Sequence, residues 1–445
     1  MPYNGASDWE GLLENIAEIV SRLVIELAII LAAAKLAGEV CERYLHVPSV
    51  LGELAVGVLI GPYALGGMSF LGLGPWFPLP PEGATIPVSS ELYSVSQVAV
   101  VILLFVVGLE TDFGKFLRYA GPASVVAVGG VVVPFFLGAY ATQVFGLTDS
   151  MFAPEALFIG AVMTATSVGI TARVLRDKKK LDSPEGVTVL GAAVVDDVLG
   201  ILVLAIVVAV ATLGTVSAGQ AGWITAKAVA VWLGITGVGV LLASRLSRFT
   251  LSLRVEGASI AMGLALAFVA SAIAEAFGLA MIIGAYSMGL ALSNTRMAKV
   301  LTAHEPHDLT SLYHALVPIF FVVMGMLVDV RSFGGVLGFG LVLTFLAIVG
   351  KVVGCGLPSL AVGFNQRGAW RIGIGMMPRG EVALIIAGVG LAEGAITSSI
   401  FGVAILITMV TTFLGPLLLV PLFSGGSGLR RGEGSPGRTI GQGMG

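Results

Sequence analysis

The sequence predicts an all-α polytopic membrane protein with about thirteen transmembrane helices. The first observation is the composition: 56% of the 445 residues are hydrophobic and 11% are charged, whereas an average soluble domain is roughly 25% charged. The second is that apolar runs of about eighteen residues or more, enough to cross a ~30 Å hydrocarbon core, recur along nearly the whole chain. The third is the uneven distribution of Lys and Arg between alternate loops. Together they exclude a water-soluble protein.

The order of apolar windows defines the predicted elements. The predicted spans cover residues 17–41, 48–64, 91–110, 121–146, 155–176, 184–213, 221–244, 256–277, 279–295, 308–328, 335–363, 369–393 and 398–424. The connecting loops are short except for 65–90, which is rich in Gly and Pro and contains no Lys or Arg. The final segment, 425–445, is rich in Gly, Ser and Arg and is predicted to be a disordered tail.

The charges in the loops predict the orientation in the membrane. Most of the 24 Lys and Arg residues fall in alternate loops, with clusters at 173–180 and 245–254. Because cytoplasmic loops carry the excess of Lys and Arg, we expect the C-terminus in the cytoplasm and the N-terminus outside. The N-terminal segment carries Asp8, Glu10 and Glu14 where a signal peptide has basic residues, so the first apolar helix is expected to be retained.

An internal repeat relates two of the predicted spans. Residues 103–116 resemble residues 320–333, with Gly108 and Gly325, and Asp112 and Asp329, at the same offset. Shared Phe, Val and Gly content is a simpler explanation of the likeness. However, the two copies end on opposite sides in the predicted topology, which is typical of inverted-repeat transporters with a binding site near the bilayer midplane.

Two adjacent carboxylates, Asp196 and Asp197, lie in the middle of the predicted span 184–213. Each Asp costs about 2.5 to 3.5 kcal/mol at the centre of a membrane helix, and neighbouring positions point ~100° apart. Like charges side by side hold helices together poorly, so a purely structural role is disfavoured. Lys351 lies equally deep in the span 335–363. We predict that Lys351 pairs with Asp196 and that Asp197 is the ion and proton site.

The span 155–176 is interrupted by hydroxyl side chains, Thr164, Thr166 and Ser167, before Gly169. Such hydroxyls can bond back to their own helical turn, but the cluster also fits an unwound stretch beside an ion. We therefore include these residues in the candidate site.

The span 369–393 has a stronger interruption at Pro378, Arg379, Gly380 and Glu381. Proline removes a backbone donor and glycine loosens the helix. Broken helices at membrane depth are tolerated only against protein or a water-filled cavity. Pro378, Arg379 and Glu381 are therefore predicted to surround the site, with separate partners for the two charged side chains.

These residues resemble a known family. The stretches TATSVGITARVLRD from Thr164, GAAVVDDVLG from Gly191, LGELAVGVLIGP from Leu51, AEAFGLAMIIGAYSMGLAL from Ala274 and PRGEVALI from Pro378 are similar to those of bacterial monovalent cation/proton antiporters, particularly the NapA-like sodium/proton antiporters. The resemblance extends from about residue 20 to residue 424.

The resemblance implies an NhaA/NapA-like fold with two crossed broken helices and a homodimer. It implies core helices at about 91–213 and 308–424 and dimerisation helices at about 17–64 and 221–295. Carried over, Asp197 is the ion-binding carboxylate, Asp196 is the lysine-paired one and Lys351 is its partner. Thr166 and Ser167 lie in the unwound stretch beside the ion.

The implied function is electrogenic exchange of a monovalent cation, Na⁺ or Li⁺, for protons in a bacterial cytoplasmic membrane, serving pH homeostasis. No cofactor, enzymatic activity or nucleic-acid partner is expected; the partners are the ions, membrane lipid and a second subunit. Potassium/proton exchange and a passive cation channel stay open as alternatives. An intramembrane aspartyl protease is disfavoured, because that chemistry needs two Asp on separate helices facing one water.

Overall fold

The computed structural model describes residues 5–69, 74–80, 86–213, 218–303, 309–329, 337–392 and 394–430. Its regular structure within these ranges is helical, apart from one isolated β-bridge between Phe364 and Leu429. The helices are α1 (Gly5–Val40), α2 (Ser49–Ile60), α3 (Ser90–Glu110), α4 (Phe113–Val144), α5 (Pro154–Thr164), α6 (Val168–Asp177), α7 (Pro184–Leu213), α8 (Ala218–Ser252), α9 (Ala258–Ala276), α10 (Met281–Leu292), α11 (Arg296–Leu301), α12 (Leu309–Met326), α13 (Leu337–Ala361), α14 (Gln366–Gly375), α15 (Glu381–Ala392) and α16 (Ser398–Leu422).

The predicted all-α membrane fold is confirmed, although the number of spans is not. Within the described ranges, 10 helical segments are long and apolar enough to cross a membrane. The predicted spans 17–41, 279–295 and 369–393 correspond to α1, α10 and the pair α14–α15, which are helical but do not meet that criterion. The count of about thirteen transmembrane helices therefore stays a prediction.

Both predicted helix breaks are present. The span Pro154–Asp177 is divided into α5 and α6 by residues 165–167, and residues 376–380 separate α14 from α15. Ala165 and Ser167 have extended backbones with ψ of 144° and 106°. Pro378 has no N–H with which to continue a helix. We call these two non-helical stretches together the crossover.

Helix α4 begins eight residues before the predicted span because Asp112 caps it. The Asp112 carboxylate accepts a hydrogen bond from the Lys115 N–H at 2.8 Å, satisfying a backbone donor that has no partner within the helix. The apolar pattern alone underestimated this helix, because its first two turns carry Lys115 and Arg118.

The chain divides into two compact units. The first contains 1–110, 230–338 and 398–409, and the second contains 111–229, 339–397 and 410–445. The structure thus places α3 and α12 in the first unit, whereas the division implied by the resemblance groups them with the core helices. Apolar composition does not reveal which helices pack together, so this grouping was not accessible from the sequence. The core and dimerisation roles stay predictions.

The aligned glycines of the internal repeat occupy matching places in the first unit. Gly108 of α3 faces Gly289 of α10, and a side chain added at Gly108 would place its Cβ 3.0 Å from the Gly289 Cα. Gly325 of α12 faces Gly57 of α2 in the same way, at 2.9 Å. Glycine at both points lets the helix backbones approach closely. The last four residues of the second copy, 330–333, lie outside the described part of the chain.

A proline in α12 explains a lysine in α1. Pro318 has no N–H, so the carbonyl of His314, four residues earlier, loses its helical hydrogen bond. The Lys35 ammonium donates to that carbonyl at 2.7 Å. The lysine therefore donates to a backbone acceptor whose helical donor the proline removes.

Two features of the second unit fix the helices that carry the candidate site. Gly129 of α4 faces Gly354 of α13, so these helices pack closely one turn from Lys351. Residues 425–430, which we assigned to a disordered tail, instead bond to the start of α14: Asn365 donates to the carbonyls of Ser427 and Leu429 at 3.0 and 2.8 Å. Residues 431–445 lie outside the described residues.

Candidate functional site

The two helix breaks of the second unit hydrogen-bond to each other. The Ser167 N–H donates to the Pro378 carbonyl at 2.7 Å, and the Thr166 hydroxyl donates to the Met376 carbonyl at 3.3 Å. A turn further on, the Thr171 hydroxyl donates to the Gly375 carbonyl at 2.6 Å. A broken helix leaves backbone groups without partners at membrane depth. At the crossover, each break supplies partners for the other.

Arg379 occupies the crossover itself and is fully buried. Its guanidinium donates to the Met163 carbonyl at 2.5 Å, in the last turn of α5, and to the Met377 carbonyl at 3.3 Å. Helix C-termini carry partial negative charge, so a cation there is favourable. The predicted separate partner of Arg379 is thus a set of backbone carbonyls. The Thr412 hydroxyl of α16 donates to the Arg379 carbonyl.

Asp196 and Lys351 form a buried ion pair. The Lys351 Nζ lies 2.7 Å from the Asp196 Oδ1, and the two side chains are 0% and 2% exposed. The Thr166 hydroxyl also lies within hydrogen-bonding reach of the Asp196 carboxylate. The structure therefore brings together three of the predicted site residues from α7, α13 and the first helix break.

Asp197 is the next residue along α7 and is also buried, at 6% exposure. A one-residue step on a helix turns the side chain by ~100°, so Asp197 does not share the environment of the Asp196–Lys351 pair. The site therefore contains one carboxylate whose charge is compensated by a lysine and a second, differently placed carboxylate.

The remaining predicted residues differ in how they relate to the crossover. Gly169 is buried in the first turn of α6, and Pro378 contributes its carbonyl to the crossover. The Thr164 hydroxyl donates to the Ala161 carbonyl at 2.8 Å, which is the backbone bond within its own turn that the sequence also allowed. Glu381 begins α15, and its side chain lies outside the described part of the structure.

Sequence reasoning missed a second buried ion pair, between Glu185 and Arg371. The Arg371 Nη1 lies 2.5 Å from the Glu185 Oε1, with side chains 4% and 3% exposed. Arg371 also donates to the carbonyls of Leu422 and Gly425 at 2.9 and 2.6 Å. It joins the start of α7, α14 and the end of α16. The sequence offered little evidence for this ion pair, because both residues lie near span ends, where charged side chains ordinarily reach water.

A buried ion pair beside two crossed broken helices is the architecture of a membrane transport protein. Known proteins identify the family. The profile described as "Sodium/hydrogen exchanger, transmembrane" matches residues 27–425. The chain therefore belongs to the sodium/hydrogen exchanger family.

Curated relatives match along most of their length. The chain is 37% identical to the high-affinity Na⁺/H⁺ antiporter NhaS3 of a Synechocystis species, over 92% of this chain and 91% of the relative. It is 36% identical to the Na⁺/H⁺-K⁺ antiporter GerN of Bacillus cereus, over 88% and 94%. Among solved structures, the sodium proton antiporter MjNhaP1 of Methanocaldococcus jannaschii matches with a TM-score of 0.62 and 16% identity, over 91% of this chain and 99% of that one. The structural match supports the fold.

Proposed function

We propose that this protein exchanges Na⁺ for protons across a bacterial cytoplasmic membrane, as an electrogenic homodimer with its N-terminus outside. The observation that carries the proposal is the Asp196–Lys351 pair next to Asp197 in the second unit. Membership of the exchanger family and the names of the relatives support cation/proton exchange. The distribution of Lys and Arg supports the orientation.

The mechanism is competition for one carboxylate. Asp197 binds either a proton or a partly dehydrated cation, beside the Asp196 carboxylate with which Lys351 pairs. Hydroxyl and carbonyl oxygens at the crossover suit a hard monovalent cation. Movement of the core then exposes the loaded site to the other side of the membrane.

The ion pair supplies a reason for electrogenic exchange. One proton replaced by one Na⁺ at Asp197 moves no net charge. Electrogenic exchange needs a second proton for each Na⁺, and the Asp196–Lys351 pair is the second ionisable pair of groups beside Asp197. Two protons are then exchanged for one Na⁺, and the cycle carries one net charge.

The test is dissipation of an imposed proton gradient in proteoliposomes on addition of Na⁺, Li⁺ or K⁺. Na⁺ is expected to collapse the gradient, and an imposed membrane potential is expected to change the rate. Asp197→Asn should abolish the response. Asp182→Asn should retain it, because the Asp182 side chain is 54% exposed and faces Lys115.

Four results would contradict parts of the proposal. Activity in Asp197→Asn would remove Asp197 from the mechanism. Rates independent of the membrane potential would exclude electrogenic exchange. A response to K⁺ alone would favour the potassium/proton alternative, for which the printed name of GerN is the supporting observation. Cation flux without proton movement would indicate a channel.

A further inference from the structure

A cavity of about 200 Å³ lies in the first unit, where α8 ends and α9 begins. Thr250, Ser259, Ile260 and Leu301 are among the residues that line it. Both helices are among the segments able to cross a membrane. The turn that joins them, and the cavity with it, therefore lies at a face of the membrane.

The start of α9 presents unused backbone donors to this cavity. Its N-cap is Gly257, at φ 72°, and provides no side-chain cap. The Ala258 N–H donates to the Val255 carbonyl at 3.2 Å, but the N–H groups of Ser259 and Ile260 have no partner within the helix. A helix N-terminus carries partial positive charge, and free N–H groups there bind anions.

Thr250 independently indicates a ligand in the same cavity. Its side chain is 1% exposed, and its hydroxyl has no hydrogen-bond partner among the described residues. A helical threonine normally donates to the carbonyl three or four residues earlier, as Thr236 does to Trp232. A buried hydroxyl without a partner is unfavourable, and an anion in the cavity would accept from it.

The surroundings distinguish a lipid from a free anion. The exposed cations Arg254 and Lys299 flank the lining residues, and within the described segments 250–260 and 299–301 the carboxylate beside them is Glu256. The rim is apolar: Val255 is 76% exposed and Val300 is 48% exposed. Polar groups inside an apolar rim at a membrane face fit a phosphate that is attached to acyl chains.

We propose that this cavity binds the headgroup phosphate of an anionic phospholipid. The phosphate oxygens accept hydrogen bonds from the Ser259 and Ile260 N–H groups and from the Thr250 hydroxyl. The acyl chains lie on the exposed apolar side chains beside the cavity. Arg254 and Lys299 favour a headgroup without a positive charge of its own.

The experiment is thermal unfolding of the purified full-length protein in detergent, titrated with phosphatidylglycerol. Phosphatidylcholine with the same acyl chains and inorganic phosphate are the comparison probes. Phosphatidylglycerol is expected to raise the unfolding temperature more than phosphatidylcholine, because the choline is repelled by Arg254 and Lys299. Thr250→Val should raise the half-saturating lipid concentration by about tenfold, as expected for one lost hydrogen bond to a charged group.

Thr236→Val is the matched control, since it removes an α8 hydroxyl that bonds to its own helix; it should respond to lipid as the wild type does. Arg254→Gln should reduce the preference for phosphatidylglycerol over phosphatidylcholine. Equal lipid responses of wild type and Thr250→Val would overturn the site. Stabilisation by inorganic phosphate with no added effect of lipid would overturn the lipid assignment.

Discussion

Replacing Lys351 by methionine tests the buried ion pair. Methionine keeps the length of the side chain, so the variant removes the charge without opening a large cavity. The Lys351 Nζ lies 2.7 Å from the Asp196 Oδ1 and neither side chain is more than 2% exposed, so water does not screen the interaction. Removing one partner of such a pair costs about 3–5 kcal/mol of unfolding free energy. Because a protonated Asp196 needs no cation, the loss is expected to be larger at alkaline than at acidic pH.

The measurement is reversible unfolding of the purified protein in detergent, followed by circular dichroism at both pH values. Lys115→Met is the control: its Nζ lies 3.6 Å from Asp182, and the two side chains are 45% and 54% exposed, so its loss should be about 0–1 kcal/mol. Adding Asp196→Asn to Lys351→Met should recover most of the lost stability. If Lys351→Met lowers the unfolding free energy no more than Lys115→Met does at alkaline pH, the reasoning about the Asp196–Lys351 pair is refuted.

Two further predictions concern the first unit. Gly325→Ala should lower the unfolding free energy by about 1–3 kcal/mol or more through overpacking, since its Cβ would collide with the Leu54 carbonyl oxygen and lie 2.9 Å from the Gly57 Cα of α2. Gly237→Ala, with open space around it, should be neutral or stabilising by up to about 1 kcal/mol. Equal effects of the two substitutions in the same unfolding assay would contradict the close crossing. Lys35→Met should lower the unfolding free energy by about 0.5–1.5 kcal/mol, the usual net contribution of one hydrogen bond, because it removes the exposed bond from Lys35 to the His314 carbonyl. The loss should be much smaller in a Pro318→Ala background, where the helix itself can donate to that carbonyl; equal losses in both backgrounds would show that the proline is not the cause.

The sequence predicted the parts of the site whose physical signal is strong. Charged residues deep in apolar spans are costly, so Asp196, Asp197 and Lys351 stood out. The pairing of Lys351 with Asp196 was predicted because both lie deep in their spans. The helix break at Pro378 was readable because proline and glycine disrupt helices by known local rules.

Other features depend on tertiary packing and carry no comparable local signal. Glu185 and Arg371 lie near span ends, where the same residues are ordinarily solvated. The hydrogen bonds from Asn365 to the carbonyls of residues 427–429 join parts of the chain that composition treats separately. The glycine-rich composition of the tail indicated disorder because it contains few apolar groups. Asn365 nevertheless holds the start of the tail through hydrogen bonds to its backbone carbonyls, which do not depend on side-chain type.

The glycine crossing of α2 and α12 has a consequence for biosynthesis. Helix α2 ends at Ile60, and α12 begins at Leu309. At about 5–20 residues per second, the ribosome needs tens of seconds to make the intervening chain. During that time the glycine-lined face of α2, with Glu53 beside it, sits in the membrane or the insertion machinery without its final neighbour. The earliest helices to be inserted thus wait for a late partner, and the first unit can be completed only after residues 111–229 of the second have been synthesised.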